Sequence, residues 1–264
     1  MSYSESVLVS AETIVPAIKN IPSRERLIVP LDVPTFDEAK ALVETLGDSV
    51  HFYKIGLELL LAGGGFTGQY AGMVDWLIQQ NKKVMVDLKI FDIARTTQAA
   101  VKQLTGQGVT FVTVHGTDEI LRAAVEVKDV VKVLAVTVLT SFDQKDLEDL
   151  GFPHGISVET VVLSRARRAL EVGCDGVISS GLEAEELRRS LGNNFLIVVP
   201  GVRPGVNQEE EEIPPFLDDQ KRVVDIEEAF EKGADHIVVG RPIRKATDKR
   251  AAAEEIQRRI AHLF

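Results

Sequence analysis

Two acids and a lysine lie within six residues at Asp87-Leu-Lys89-Ile-Phe-Asp92. On an extended segment, side chains two apart project to the same side, which pairs Asp87 with Lys89. Asp92 follows after one more turn. Opposite charges nearby favour the ammonium form of a lysine, so Lys89 is suited to keep a proton until a reacting atom takes it. The same carboxylates would stand beside any anionic group of a substrate. Two further charged residues, Asp32 and Lys54, each close a short apolar run. Each has a plainer reading on its own, because an Asp after a strand often caps a helix and a Lys near a strand end can reach solvent. Three consecutive strands ending in charge at one rim favour a chemical role for the group.

The elements that must hold these residues are legible from periodicity. From Arg26 onward, short β-branched runs alternate with longer amphipathic stretches, the pattern of repeated βα units around a parallel sheet. Eight strands are expected, at 27–32, 51–55, 84–88, 110–115, 131–138, 176–179, 195–199 and 236–239. Most are nearly continuous in apolar residues, as strands buried on both faces are. Segments 35–46, 93–107, 158–172 and 225–232 carry apolar residues at helical spacing. Three helices should end in glycine turns, in TGQGVT, EVGCDG and EKGADH. The fold class expected is α/β, a single (β/α)8 TIM barrel, with an open doubly wound sheet as the alternative. Residues 1–25 read as an arm across the barrel's bottom, and 26–264 as one catalytic domain. The stretch 201–220, rich in Gly, Pro and acid, reads as a long loop after strand 7, on the face where barrels keep their chemistry.

Strand 8 runs into Gly240-Arg241-Pro242, with a helix expected from about Pro242. A glycine allows close backbone approach, a helix start offers free N–H groups and Arg241 a forked donor, which suits a phosphate. A proline in the first helical turn is also a routine start signal. His115 ends strand 4 and faces the same rim, and a hydrogen-bonding role fits it better than a metal. The acidic run 209–212 reads as a solvated loop face, and Phe66, Tyr70 and Trp76 as helix packing.

Bulk properties narrow the class. The chain has 264 residues, 45% hydrophobic, enough for a large core, and a net charge of −10 that argues against a nucleic-acid partner. The single cysteine, Cys174, makes a reduced, cytoplasmic setting the default expectation. No apolar run approaches the roughly 18 residues of a membrane span, and the N-terminus lacks the marks of a signal peptide.

The segment Asp87-Leu-Lys89-Ile-Phe-Asp92-Ile93 resembles the D-x-K-x-x-D-I signature of the orotidine 5'-monophosphate decarboxylases. LDVP, YKIG, VTVHG, VTVLTS, PGVRPG, DQKR and VGRPI resemble the bacterial members of that family in the same order, over roughly residues 26–262. D-x-K-x-x-D alone is shared with a wider group of sugar-phosphate enzymes; DI, LTS and DQKR together point to the nucleotide decarboxylase. The resemblance implies decarboxylation of orotidine 5'-monophosphate to uridine 5'-monophosphate, the last step of de novo pyrimidine nucleotide biosynthesis, with no metal and no organic cofactor. It implies Lys89 as proton donor, with Asp87 beside it at the substrate carboxylate. Asp92, Ile93 and Thr96 would reach into the neighbouring subunit's site, making the enzyme a homodimer with shared sites. Asp32 and Lys54 would hold the ribose, and Thr140 and Ser141 the pyrimidine. Arg203, Gln220, Gly240 and Arg241 would hold the phosphate, with Pro200 also among the substrate-binding residues. The chain departs from the family at Ala94-Arg95, where Pro-Asn is common, and between Arg203 and Gln220, which is longer and more acidic. Two rivals stand beside this reading. One is a Mg²⁺-dependent sugar-phosphate decarboxylase or aldolase using the Asp87 and Asp92 region. The other is a nucleotide-binding protein without catalysis. Chelator sensitivity separates the first and substrate turnover the second.

Overall fold

The structure, a computed structural model, describes residues 20–62, 69–205 and 222–264, without the side chains of 69 and 70. Most of the arm (1–19), Phe66, the Tyr70 side chain, the acidic run 209–212 and Gln220 lie outside the described residues.

All eight expected strands are present and parallel: β1 Leu27–Pro30, β2 Phe52–Gly56, β3 Lys83–Ile90, β4 Phe111–Val114, β5 Lys132–Val136, β6 Gly176–Ile178, β7 Leu196–Pro200 and β8 His236–Val238. Each pairs with the next, and β1 closes on β8 through Leu27↔Ile237 and Ile28↔Val238. The barrel is therefore closed, and the open-sheet alternative is excluded. The helices are α1 Phe36–Leu46, α2 Leu57–Leu61, α3 Gln69–Gln79, α4 Ala94–Leu104, α5 Asp118–Val125, α6 Gln144–Asp149, α7 Val158–Glu171, α8 Ala184–Leu191, α9 Ile226–Glu231, α10 Arg241–Arg244 and α11 Lys249–Leu263.

Helix starts follow local chemistry. Thr35, Ser157 and Asp225 each cap the following helix by accepting a backbone N–H. The expected glycine turns are left-handed, with Gly106 at φ 76°, Gly173 at 98° and Gly233 at 102°. The helix expected from Pro242 is two helices, because Asp248 caps a fresh start by accepting from the Ala251 N–H at 2.9 Å.

The pleat sorts the core into two layers. Leu27, Val29, Tyr53, Ile55, Val84 and Val86 face the surrounding helices, and Trp76 packs there partly buried. Ile28, Phe52, Met85, Phe111, Leu134, Leu196 and Val198 fill the barrel itself. Ile21 packs against this inner layer, and Glu25 pairs with Lys83 at the start of β3. Cys174 is buried and free. Among the described residues, no helix is long and apolar enough to cross a membrane.

Candidate active site

Counting upward in steps of two from the inner core layer leads to the site. Ile28 gives Pro30 and Asp32; Phe52 gives Lys54 and Gly56; Met85 gives Asp87; Phe111 gives Thr113; Val136 gives Val138 and Thr140; Val198 gives Pro200; Val238 gives Gly240. Most of these residues line one cavity of about 710 Å³ at the C-terminal ends of the strands. That volume is the usual size for a small-molecule site.

One flank of the cavity is an alternating row of charge. Lys54 Nζ lies 3.2 Å from Asp32 Oδ1 and 3.1 Å from Asp87 Oδ2. Lys89 Nζ lies 3.0 Å from each Asp87 oxygen, and the Thr113 hydroxyl donates to Asp87 Oδ1 at 2.9 Å. The order is therefore acid, base, acid, base. Burial alone would lower the Lys54 pKa, but Asp87 and then Asp32 outweigh it and raise the pKa above the ordinary lysine value. Burial alone would raise the Asp87 pKa, yet Lys54, Lys89 and the Thr113 hydroxyl hold it below the usual carboxylate value. Gly56 leaves room for this row, since a Cβ there would sit 3.3 Å from Lys54 Nζ.

Lys89 reaches Asp87 by a route other than the one expected. Its backbone is left-handed, with φ 46°, and the β3–β4 register shifts between Val86↔Val112 and Ile90↔Val114. Asp87 and Lys89 do converge, but through a bulge that re-aims the lysine instead of through an extended strand.

The part of the cavity that follows β7 and β8 is cationic. Arg203, Gly240, Arg241 and Arg244 line it, with Pro200 between. Gly240 is required by close approach, because a Cβ there would fall 2.9 Å from Pro30 Cγ. The two ends of the loop after β7 are pinned together by a Val202↔Val224 bridge and by the Arg203 N–H donating to the Val224 carbonyl at 3.0 Å. Thr140 and Ser141 line the cavity after β5.

Asp92, Ile93 and Thr96 do not join this cavity within the chain. They are exposed where α4 begins, and Asp92 Oδ1 accepts from the Ile93 N–H at 2.7 Å. His115 makes the expected hydrogen bond, but away from this cavity. Gly116, at φ 131°, turns the chain as β4 ends. His115 Nε2 lies 3.3 Å from Arg165 Nη1, in a second cavity of about 430 Å³ beside α5 and α7. Burial, with Arg165 beside it, lowers the His115 pKa.

Three contributors escaped the sequence reading. Thr113 has the two-residue spacing from Phe111 that would have flagged it. Arg244 donates to the Asp32 backbone carbonyl, one helical turn beyond Gly240. Arg222 pairs with buried Glu183 and donates to the Leu139 carbonyl at 2.9 Å, tying the end of the β7 loop to the segment that carries Thr140. The last Arg of DQKR was visible in the sequence, but its partners were not.

Comparison with known proteins bears on this geometry. The family described as "Orotidine 5'-phosphate decarboxylase / HUMPS family" matches residues 25–256. The orotidine 5'-phosphate decarboxylase of Methylococcus capsulatus is 54% identical over 246 residues, covering 93% of this chain and 96% of its own. That of Rhodopseudomonas palustris strain HaA2 is 46% identical over 240 residues, covering 90% and 95%. The crystal structure of orotidine 5'-phosphate decarboxylase from Lactobacillus acidophilus superposes with a TM-score of 0.73 at 33% identity, over 89% of this chain and 99% of that one.

Proposed function

The chain belongs to the orotidine 5'-phosphate decarboxylase / HUMPS family, and from that premise we propose that it converts orotidine 5'-monophosphate to uridine 5'-monophosphate and CO2 without metal or organic cofactor. The observation that carries this reading is the Asp32, Lys54, Asp87, Lys89 row sharing one cavity with a cationic group from the loops after β7 and β8. A nucleotide offers two anionic groups, a phosphate and a pyrimidine carboxylate, and the cavity offers a different environment for each.

When CO2 departs, the electron pair of the broken bond stays on C6 of the pyrimidine. The site must stabilise that charge electrostatically, and the Lys89 ammonium is placed to do so and then to protonate C6. Asp87, held ionised, orients Lys89 and faces the substrate carboxylate. Asp32 and Lys54 hold the ribose, Thr140 and Ser141 the pyrimidine, and Arg203, Gln220, Gly240 and Arg241 the phosphate beside Pro200. Grip on the remote phosphate supplies binding energy for excluding water from C6. Product formation completes de novo pyrimidine nucleotide synthesis, and the single cysteine is in keeping with a cytoplasmic setting.

The active form is a homodimer in which Asp92, Ile93 and Thr96 complete the partner's site. The support is a cluster at the start of α4, where Phe91 is 67% and Ile93 70% exposed beside Asp92; large apolar side chains this open next to a polar residue suit an interface. Residues 26–264 act as one catalytic barrel, with 1–25 as an arm.

The direct test is loss of the orotate absorbance when purified protein meets orotidine 5'-monophosphate, with excess EDTA and with added Mg²⁺ in parallel. Turnover indifferent to EDTA is expected. Turnover abolished by EDTA would favour the metal-dependent rival, and none in any condition would overturn the decarboxylase reading.

A further inference from the structure

Between the paired positions Val86↔Val112 and Ile90↔Val114, β3 contributes residues 87, 88 and 89 while β4 contributes only Thr113. In a regular ladder every second backbone N–H of β3 would meet a carbonyl of β4, the others facing β2. Here the Lys89 N–H instead donates to Thr113 Oγ1 at 2.9 Å. The same hydroxyl donates its proton to Asp87 Oδ1 at 2.9 Å. A hydroxyl has one proton to give and lone pairs to receive, so it serves both contacts at once. Thr113 is wholly buried, and Lys89 holds φ 46°, a conformation that a side-chain-bearing residue keeps only when its surroundings over-determine it.

We propose that Thr113 is a positioning residue for the decarboxylation: its hydroxyl locks the bulge at Lys89 and the rotamer of Asp87 together, so that the ammonium rests against both carboxylate oxygens. It touches neither the cavity nor a substrate and acts through Lys89 and Asp87. Valine at this position keeps the shape and loses both hydrogen bonds. Serine keeps both and loses a methyl group.

This inference rests on the proposed activity, so wild-type turnover of orotidine 5'-monophosphate is measured first; its absence would sink that reading and not specifically this one. With an active wild type, Thr113→Val is expected to lower kcat by about tenfold to a hundredfold, the range for lost hydrogen bonds to a charged group. KM and the affinity for uridine 5'-monophosphate should stay within about twofold, because the phosphate and ribose contacts are untouched. Thr113→Ser is expected to return kcat to within about threefold of wild type. The proposal is overturned by a folded Thr113→Val whose kcat is within twofold of wild type. It is equally overturned by a change confined to KM, or by Thr113→Ser as impaired as Thr113→Val, which would assign the effect to methyl packing. If Thr113→Val does not fold, Thr113→Ala takes its place; if neither hydroxyl-free variant folds, the hydroxyl serves the fold and the positioning role fails.

Discussion

Phe52 and Lys54 are two residues apart on β2 and face the same barrel interior, yet the ionisable groups beside them end in opposite charge states. Around Phe52, His236 packs edge-on against Phe52 and Phe111, with ring centroids 5.9 and 5.2 Å away. Its Nδ1 finds no hydrogen bond among the described residues, and burial pushes its pKa down to about 3, against a weaker pull from Asp235. At Lys54, which is mostly buried, and at buried Asp87, both groups are held charged because each has an opposite charge near 3 Å. Burial is common to both ends, and partners decide the protonation state. Beside Phe52 burial keeps the His236 imidazole neutral; beside Lys54 pairing holds charge ready for a reaction.

The contrast can be broken from either end. The largest effect is expected for Lys54→Met, which leaves Asp87 buried with fewer counter-charges. Removing one member of a buried pair costs about 3–5 kcal/mol. Burial would then drive the Asp87 pKa up, so residual activity should fall as pH is lowered, and turnover at pH 7 should drop at least about a hundredfold. Thermal unfolding and a pH–rate profile check this. A variant with wild-type stability and an unchanged acid limb would show that pairing is not what keeps Asp87 ionised.

His236 sharpens the comparison from below. Its folded-state pKa, about 3, lies under the ordinary 6.5, so in that window the unfolded chain takes up a proton that the folded chain refuses. Stability is therefore complete above pH 6.5 and erodes as pH falls, by roughly 2 kcal/mol at pH 5. His236→Leu should lose that increment of acid sensitivity. Urea unfolding at pH 7 and pH 5 checks it, and equal acid losses in both proteins would contradict a neutral buried imidazole. A smaller effect is expected for Arg241→Ala, with KM raised about tenfold and kcat changed less than about threefold. A fall in kcat at unchanged KM would remove Arg241 from simple phosphate binding.

How much of this was legible beforehand follows the same division. The strands could be read because both their faces are apolar, and Asp32, Lys54 and Asp87 stood out as charges interrupting that pattern. Thr113 has the same parity, but threonine is an ordinary strand former, so only its spacing from Phe111 marked it, not its residue type. The bulge at Lys89 is a register shift between two strands, and no residue type encodes it. The hydrogen bond expected of His115 goes to Arg165, fifty residues on, a partner that no spacing in the sequence discloses. Short helices such as α2, α6 and α10 span too little chain to show a period. Ile93 and Thr96 entered through the resemblance alone, as did the placing of Asp92 in the partner's site, since a single chain gives them nothing to act on.

The central claim is that the charge held at Lys89 performs the chemistry, and Lys89→Ala tests it most directly when turnover of orotidine 5'-monophosphate and binding of uridine 5'-monophosphate are measured on the same preparation. An essential proton donor contributes at least roughly 10²-fold. The expected result is turnover below about one per cent of wild type with nucleotide binding still measurable. Turnover above that level in a folded, nucleotide-binding variant would contradict the account.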